Sequence, residues 1–206
     1  MSLSIGSPGS RPGSLPGPRR SPGPGGRPTK KPSRRTTQVR RNAIVMAWLL
    51  TSAVLAGLTI VGPLVSWDTW LPLHALLLGG IGSAITIWSA HFADTLLHRP
   101  ALGGAALLDA RLYAHSLGTV VVLTGITMGR QVPALIGAGI IMAQAIAGVV
   151  AITVQYRRAI APRLASLAIH YAVALVLLAA GALLGFLISW SNARGRSDLA
   201  DGLYLA

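Results

Sequence analysis

The sequence predicts an all-α integral membrane protein, a five-transmembrane-helix bundle behind a disordered basic N-terminal tail. Three observations predict it. Hydrophobic residues make up 52% of the 206 positions and charged residues only 11%, with a mean hydropathy of +0.59, outside the range of ordinary soluble domains. The charge is segregated: residues 1–42 hold ten of the eighteen Lys and Arg, eight of the thirteen prolines and no acid. Beyond them, five apolar runs each approach or exceed the roughly 20 residues that a helix needs to cross the hydrocarbon core.

The tail, 1–42, is built of Ser, Pro, Gly and Arg, as in Ser14-Leu15-Pro16-Gly17-Pro18-Arg19-Arg20. Such a composition buries no core and predicts disorder. It lacks the apolar segment of a secretory signal. Arg40-Arg41 before the first apolar run also fits a twin-arginine signal, but no small-residue cleavage pattern follows, so the stretch reads as topogenic. Its nearest partner is then anionic lipid headgroups. A net charge of +13 invites a nucleic-acid reading, yet the basic residues flank apolar runs instead of clustering, so no nucleic-acid partner is expected.

The spans are expected at about 43–66, 70–97, 110–129, 132–156 and 164–190, with a short outer-side segment over 191–206. Pro63, Pro72, Pro100, Pro133 and Pro162 fall at or near their boundaries, where a missing N–H is tolerated. Asp109 is placed to cap the third span. The Lys/Arg bias puts the tail, the Arg99/Arg111 connection, Arg157, Arg158 and Arg163 on one side, against Asp68, Arg130, Arg194 and Arg196 on the other. A multi-pass cell-membrane protein with its N-terminus cytoplasmic and its C-terminus outside follows. Trp67, Trp70 and Trp190 would form the outer aromatic belt. Small residues at Gly125/Gly129, Gly181/Gly185 and Gly139/Ala143/Ala147 suggest close helix packing.

Chemistry is sparse. There is no cysteine and no glutamate, which removes disulfides, thiolate metal sites and a Cys nucleophile. No phosphate-binding loop, nucleophile elbow or zinc-protease motif occurs, so catalysis by the chain alone is not expected. The remaining signal is polar residues inside spans, a functional-site hypothesis by default. His91, Asp94 and His98 share one face of the second span, within about 60°. His91, His115 and His170 lie at a similar depth, about 7–9 Å from the inner ends of three helices. His74 lies near the outer face, roughly 25 Å from His91. Neutral imidazole is a standard haem or transition-metal ligand, so His74, His91, His115 and His170 are the candidate cofactor ligands, with Asp94 as an acceptor that could orient a ligating His91. The alternative is that they tie helices together or anchor span ends.

Leu73-His74-Ala75-Leu76-Leu77-Leu78-Gly79-Gly80 and Ile87-Trp88-Ser89-Ala90-His91-Phe92-Ala93-Asp94-Thr95-Leu96-Leu97 resemble the membrane-embedded N-terminal region of actinobacterial multicopper oxidase and copper nitrite reductase-like membrane proteins. Arg41-Asn42-Ala43-Ile44-Val45-Met46-Ala47-Trp48 looks like the entry to that family's first helix. The resemblance runs over residues 40–206 and is weakest in the last three helices. It implies a redox or anchoring module that binds haem b or copper, takes electrons from quinol, and serves an outer-side cupredoxin protein. It also implies a departure: the family continues after a stretch like Leu203-Tyr204-Leu205-Ala206 into a His-rich helix and cupredoxin domains. The chain is therefore expected to be a split subunit, truncated product or fragment, lacking the outer-side histidine that would partner His74. The competing expectation is a non-redox anchor, assembly subunit or small transporter with structural histidines.

Overall fold

The structure is a computed structural model, and it describes residues 34–61, 69–98, 100, 102–159 and 165–195. The predicted disorder of residues 1–33, the belt residue Trp67, and Asp68, Arg99, Arg163, Arg196 and Leu203–Ala206 lie outside the described residues. Among the described residues the chain is all-helical, and five helices are long and apolar enough to cross a membrane. They are α1 (Arg34–Val61), a second span over Trp70–Leu97, α4 (Gly104–Thr127), α5 (Gln131–Arg158) and α6 (Ala165–Ala193). The second span is built in three pieces: α2 (Trp70–His74), a π-helical segment (Ala75–Ile81) and α3 (Gly82–Leu97). Large side chains such as Met46, Leu50, Val61, Leu117 and Leu177 are exposed, which suits contact with lipid instead of water.

The helices form a bundle in which α5 packs most extensively, against both α4 and α6, while α3 closes the other side of α6. Between α4 and α5 the backbones come close because glycines meet there. A Cβ on Gly118 would lie 3.0 Å from the Gly137 carbonyl, and one on Gly137 would lie 2.6 Å from the Gly118 carbonyl. Farther along, a Cβ on Gly125 would lie 2.6 Å from the Ala134 nitrogen. Small residues of this kind let two apolar helices approach backbone to backbone, the packing typical of helices that cross a bilayer. The hairpin between them closes on Gly129 at φ +65°, with Arg130 N–H donating to the Gly125 carbonyl at 2.7 Å, the left-handed glycine cap of a Schellman turn.

Three expectations are corrected. First, α1 starts at Arg34, inside the stretch read as tail, and α4 starts at Gly104 instead of Ala110. The two extensions meet: Arg41 Nε and Arg40 Nη2 donate to the two oxygens of Asp109 at 2.6 and 2.9 Å, and Arg41 Nη2 donates to the Ala105 carbonyl. Second, Asp109 is thereby one turn inside α4 and caps nothing; Gly103, at φ +72°, stands at the N-cap. Third, Gly181, Gly185 and Gly139 have open space where a Cβ would sit, so they are not contact residues within the bundle.

Almost none of α1 is buried. It leans on the second span through Trp48 stacked on Gly79 and Leu49 on Gly80, and Ser52 Oγ donates to the Pro72 carbonyl at 2.8 Å. The Asp109 bridge is therefore a large share of what seats its first turns. Asp109→Ala strands two arginines, and should lower stability by about 2 kcal/mol. It should also speed tryptic cleavage after Arg40 and Arg41; unchanged cleavage kinetics would contradict this account of α1.

Candidate functional site

Two features stand out inside the bundle. The first is a cavity of about 340 Å³ at the span ends that carry Trp70, Gln131 and Asn192. The second span, α4, α5 and α6 all contribute to its wall, which is mostly apolar: Leu77, Leu78, Val122, Ile126, Ala138 and Ile141. Gly181 and Gly185 leave room on the α6 side, and His74, Gln131, Ser189 and Asn192 bring polar groups to it. His74 is held in place locally. Its ring stacks on Trp70 at 4.1 Å between centroids, and its Nδ1 lies 2.8 Å from the Trp70 carbonyl one turn back. The carbonyl can only accept, so Nδ1 carries the proton and Nε2 of the neutral ring is left as an acceptor or ligand nitrogen.

The second feature is a buried polar layer. His115 is completely buried and bonded at both nitrogens: to the Leu78 carbonyl from Nε2 at 2.8 Å, and to Gln144 Nε2 from Nδ1 at 2.9 Å. Leu78 O fixes the donor at Nε2, so Nδ1 accepts from the Gln144 amide. The chain reaches this geometry through the π segment, which presents Leu78 O, and through Gly82. A Cβ on Gly82 would lie 2.5 Å from His115 Nε2, so only glycine admits the ring there. One turn before His115, Arg111 is only 5% exposed and donates from Nε to the Gln144 carbonyl at 3.1 Å. Its Nη2 occupies the place a side chain would take at Gly148. Arg111 Nη2, Gln144 Oε1 and Ser83 Oγ are buried without a hydrogen-bond partner among the described residues. The only described carboxylates are spoken for: Asp109 by Arg40 and Arg41, Asp94 by Gln155 Nε2 at 2.6 Å.

The histidines of similar predicted depth are not gathered. No three His, Asp or Glu side chains come together as a metal site among the described residues. His91 is exposed, with its ring edge-on to Trp88 at 5.6 Å. His170 is exposed too, its Nδ1 donating to the Ser166 carbonyl at 3.0 Å. Beside them, Phe92 stacks on Tyr171 at 5.0 Å and ties α3 to α6. Asp94 serves Gln155 on α5 and not His91. His98 ends α3 in the left-handed conformation, φ 50°. His74 alone of the four candidate ligands lines the cavity.

Sequence reasoning missed Arg111 as an interior residue, along with Gln144, Ser83 and the two glycines that make room for the layer. A signal existed: Arg111, His115 and Thr119 stand four apart, with Gly118 beside them, one stripe of a helix. No family model, no curated protein and no solved structure matches the chain.

Proposed function

We propose that the chain is a membrane redox or anchoring module that binds a small amphipathic ring compound, of quinol type, beside His74 and works with a partner instead of catalysing alone. The observation that carries this reading is the cavity: four spans wall it, its lining is apolar, and polar groups gather at the Trp70 end. Ligand pockets have this composition, and roughly 300 Å³ is the lower end of their size range. A hydroxylated ring would donate to His74 Nε2, while Gln131, Ser189 and Asn192 offer further donors and acceptors at the same end.

Haem b and copper fit less well. Copper needs several nitrogen or sulfur donors in one place, and no such group exists among the described residues. A haem would find one ligand nitrogen in His74, whose other ring nitrogen is held by a backbone carbonyl as ligating histidines commonly are. None of the other candidate histidines lines that cavity, so a second histidine ligand is missing from its described wall.

Orientation belongs to the same proposal. Arg40, Arg41, Arg157 and Arg158 lie toward one end of the bundle, and Trp70 and Trp190 toward the other, with Arg194 over the Trp190 ring at 4.3 Å. The positive-inside bias makes the first end cytoplasmic. The His74 cavity then opens toward the outer side, where an electron-accepting cupredoxin protein would dock.

The test is titration of the full chain in detergent, under reducing conditions, with a short-chain quinol, followed by tryptophan fluorescence and native mass spectrometry. His74→Ala should weaken binding about tenfold, the worth of one hydrogen bond. Gly185→Leu, which fills the cavity from α6, should abolish binding without unfolding the protein. No binding by the wild type, together with higher thermal stability in Gly185→Leu, would identify the cavity as a packing void. A Soret band after haem addition that disappears in His74→Ala would favour the haem reading instead.

A further inference from the structure

A second hollow lies on the outside of the bundle, between α1 and α4. It is an open groove of about 820 Å³ whose lining includes Ile44, Trp48, Leu55, Tyr113, Val120 and Thr127. It exists because α1 packs mainly on the second span and touches α4 sparsely. The two helices are joined mainly at one end, through Arg40, Arg41 and Asp109, with Trp48 Nε1 reaching Ser116 Oγ at 3.4 Å farther along. At helical rise the groove climbs about 16 Å along α1, from Ile44 to Leu55, and about 22 Å along α4, from Tyr113 to Met128, which is at least the ~15 Å that one leaflet contributes to the hydrocarbon core.

The tied end of the groove is charged. Arg40 stands one turn before Ile44, and Asp109 one turn before Tyr113, on the same helix faces. Two arginines share one carboxylate there, so the cluster keeps a net positive charge, and the Arg40 side chain remains 55% exposed. Tyr113 is half exposed at that level, where phenol rings favour the headgroup boundary.

We infer that this groove is the seat of one anionic phospholipid, with an acyl chain along the trough and its phosphate on Arg40. The inference rests on the helices spanning a bilayer and is independent of what the His74 cavity holds. The groove is long enough for an acyl chain crossing one leaflet, is mostly apolar, and is headed by a guanidinium that remains half exposed. A zwitterionic lipid would fill the trough equally well but would gain less from the excess charge, which is worth roughly a fivefold preference near a membrane surface.

Trp48 reports occupancy. The full chain is reconstituted into vesicles of mixed phosphatidylcholine and phosphatidylglycerol, with brominated chains on one lipid at a time. The Trp48 signal is the difference between wild type and Trp48→Phe. Brominated phosphatidylglycerol should quench it at about one fifth the mole fraction that brominated phosphatidylcholine requires. Arg40→Gln should erase that difference while leaving the fold intact, since Arg41 still holds Asp109. Equal quenching by the two lipids in wild type would overturn the inference, leaving only bulk lipid contact. Absence of quenching by both, with Ala47→Cys forming disulfide dimers, would assign the groove to a second copy of the chain.

Discussion

Gly148→Val should be among the most damaging single substitutions in the bundle, costing about 4 kcal/mol or preventing recovery of folded protein. The space beside Gly148 is filled by the Arg111 guanidinium, and Leu175 Cδ1 would lie 2.9 Å from an added Cβ. A branched side chain evicts the guanidinium, breaks its bond to the Gln144 carbonyl, and pushes a charge into apolar surroundings that offer it no carboxylate. Arg111→Met alone should be close to neutral: one hydrogen bond is lost, but so is an unpaired cation whose burial is costly. Combined with Gly148→Val, it should recover at least half of the loss. Thermal unfolding in detergent, followed by size-exclusion chromatography, reads all three. Wild-type stability in Gly148→Val would show that the guanidinium does not rest on that glycine.

His115→Leu should lower stability by about 3 kcal/mol, measured in the same way, because it orphans two groups at once. The Leu78 carbonyl loses its donor, and the Gln144 amide loses its acceptor in a buried layer. Adding Gln144→Met removes one of the orphans. The double variant should therefore be more stable than His115→Leu by 1 kcal/mol or so, a coupling that two independent core positions would not show. The Arg111 bond runs to the Gln144 backbone and survives both changes. Additive losses would mean that the two side chains do not depend on each other.

The five long apolar helices were readable because length and apolarity, the properties a helix needs to cross a bilayer, are local to the sequence. Their ends were not readable, because a basic run before an apolar one looks the same whether it is loose or helical. The partner that Arg40 and Arg41 find in the folded chain is Asp109, on α4, more than sixty residues away. Arg111 was misread for a related reason. A charge at the edge of an apolar stretch normally marks its end, and only the additional turns from Gly104 carry this one inside. Gln144 sits in the middle of an apolar run and gives no sign by itself; its role comes from α4 and from a carbonyl of the second span. The Gly181/Gly185 pair shows the limit of small-residue motifs. They permit a close neighbour, yet here the space they leave lines a cavity.

The π segment at Ala75–Ile81 sets the phase of everything after it. A π turn takes roughly one residue more than an α turn, so the second span is wound as two α-helical pieces with a phase slip between them. The piece with His74 and the piece with His91 and Asp94 are therefore aimed by different constraints. His74 is aimed by Trp70 at its own end, and the later residues by how α3 meets α5 and α6. A helical wheel drawn straight through Trp70–Leu97 superimposes faces that the protein keeps apart. The slip also localises the sequence cost of that independence to a handful of positions, where Gly79, Gly80 and Gly82 tolerate irregular winding and close neighbours together.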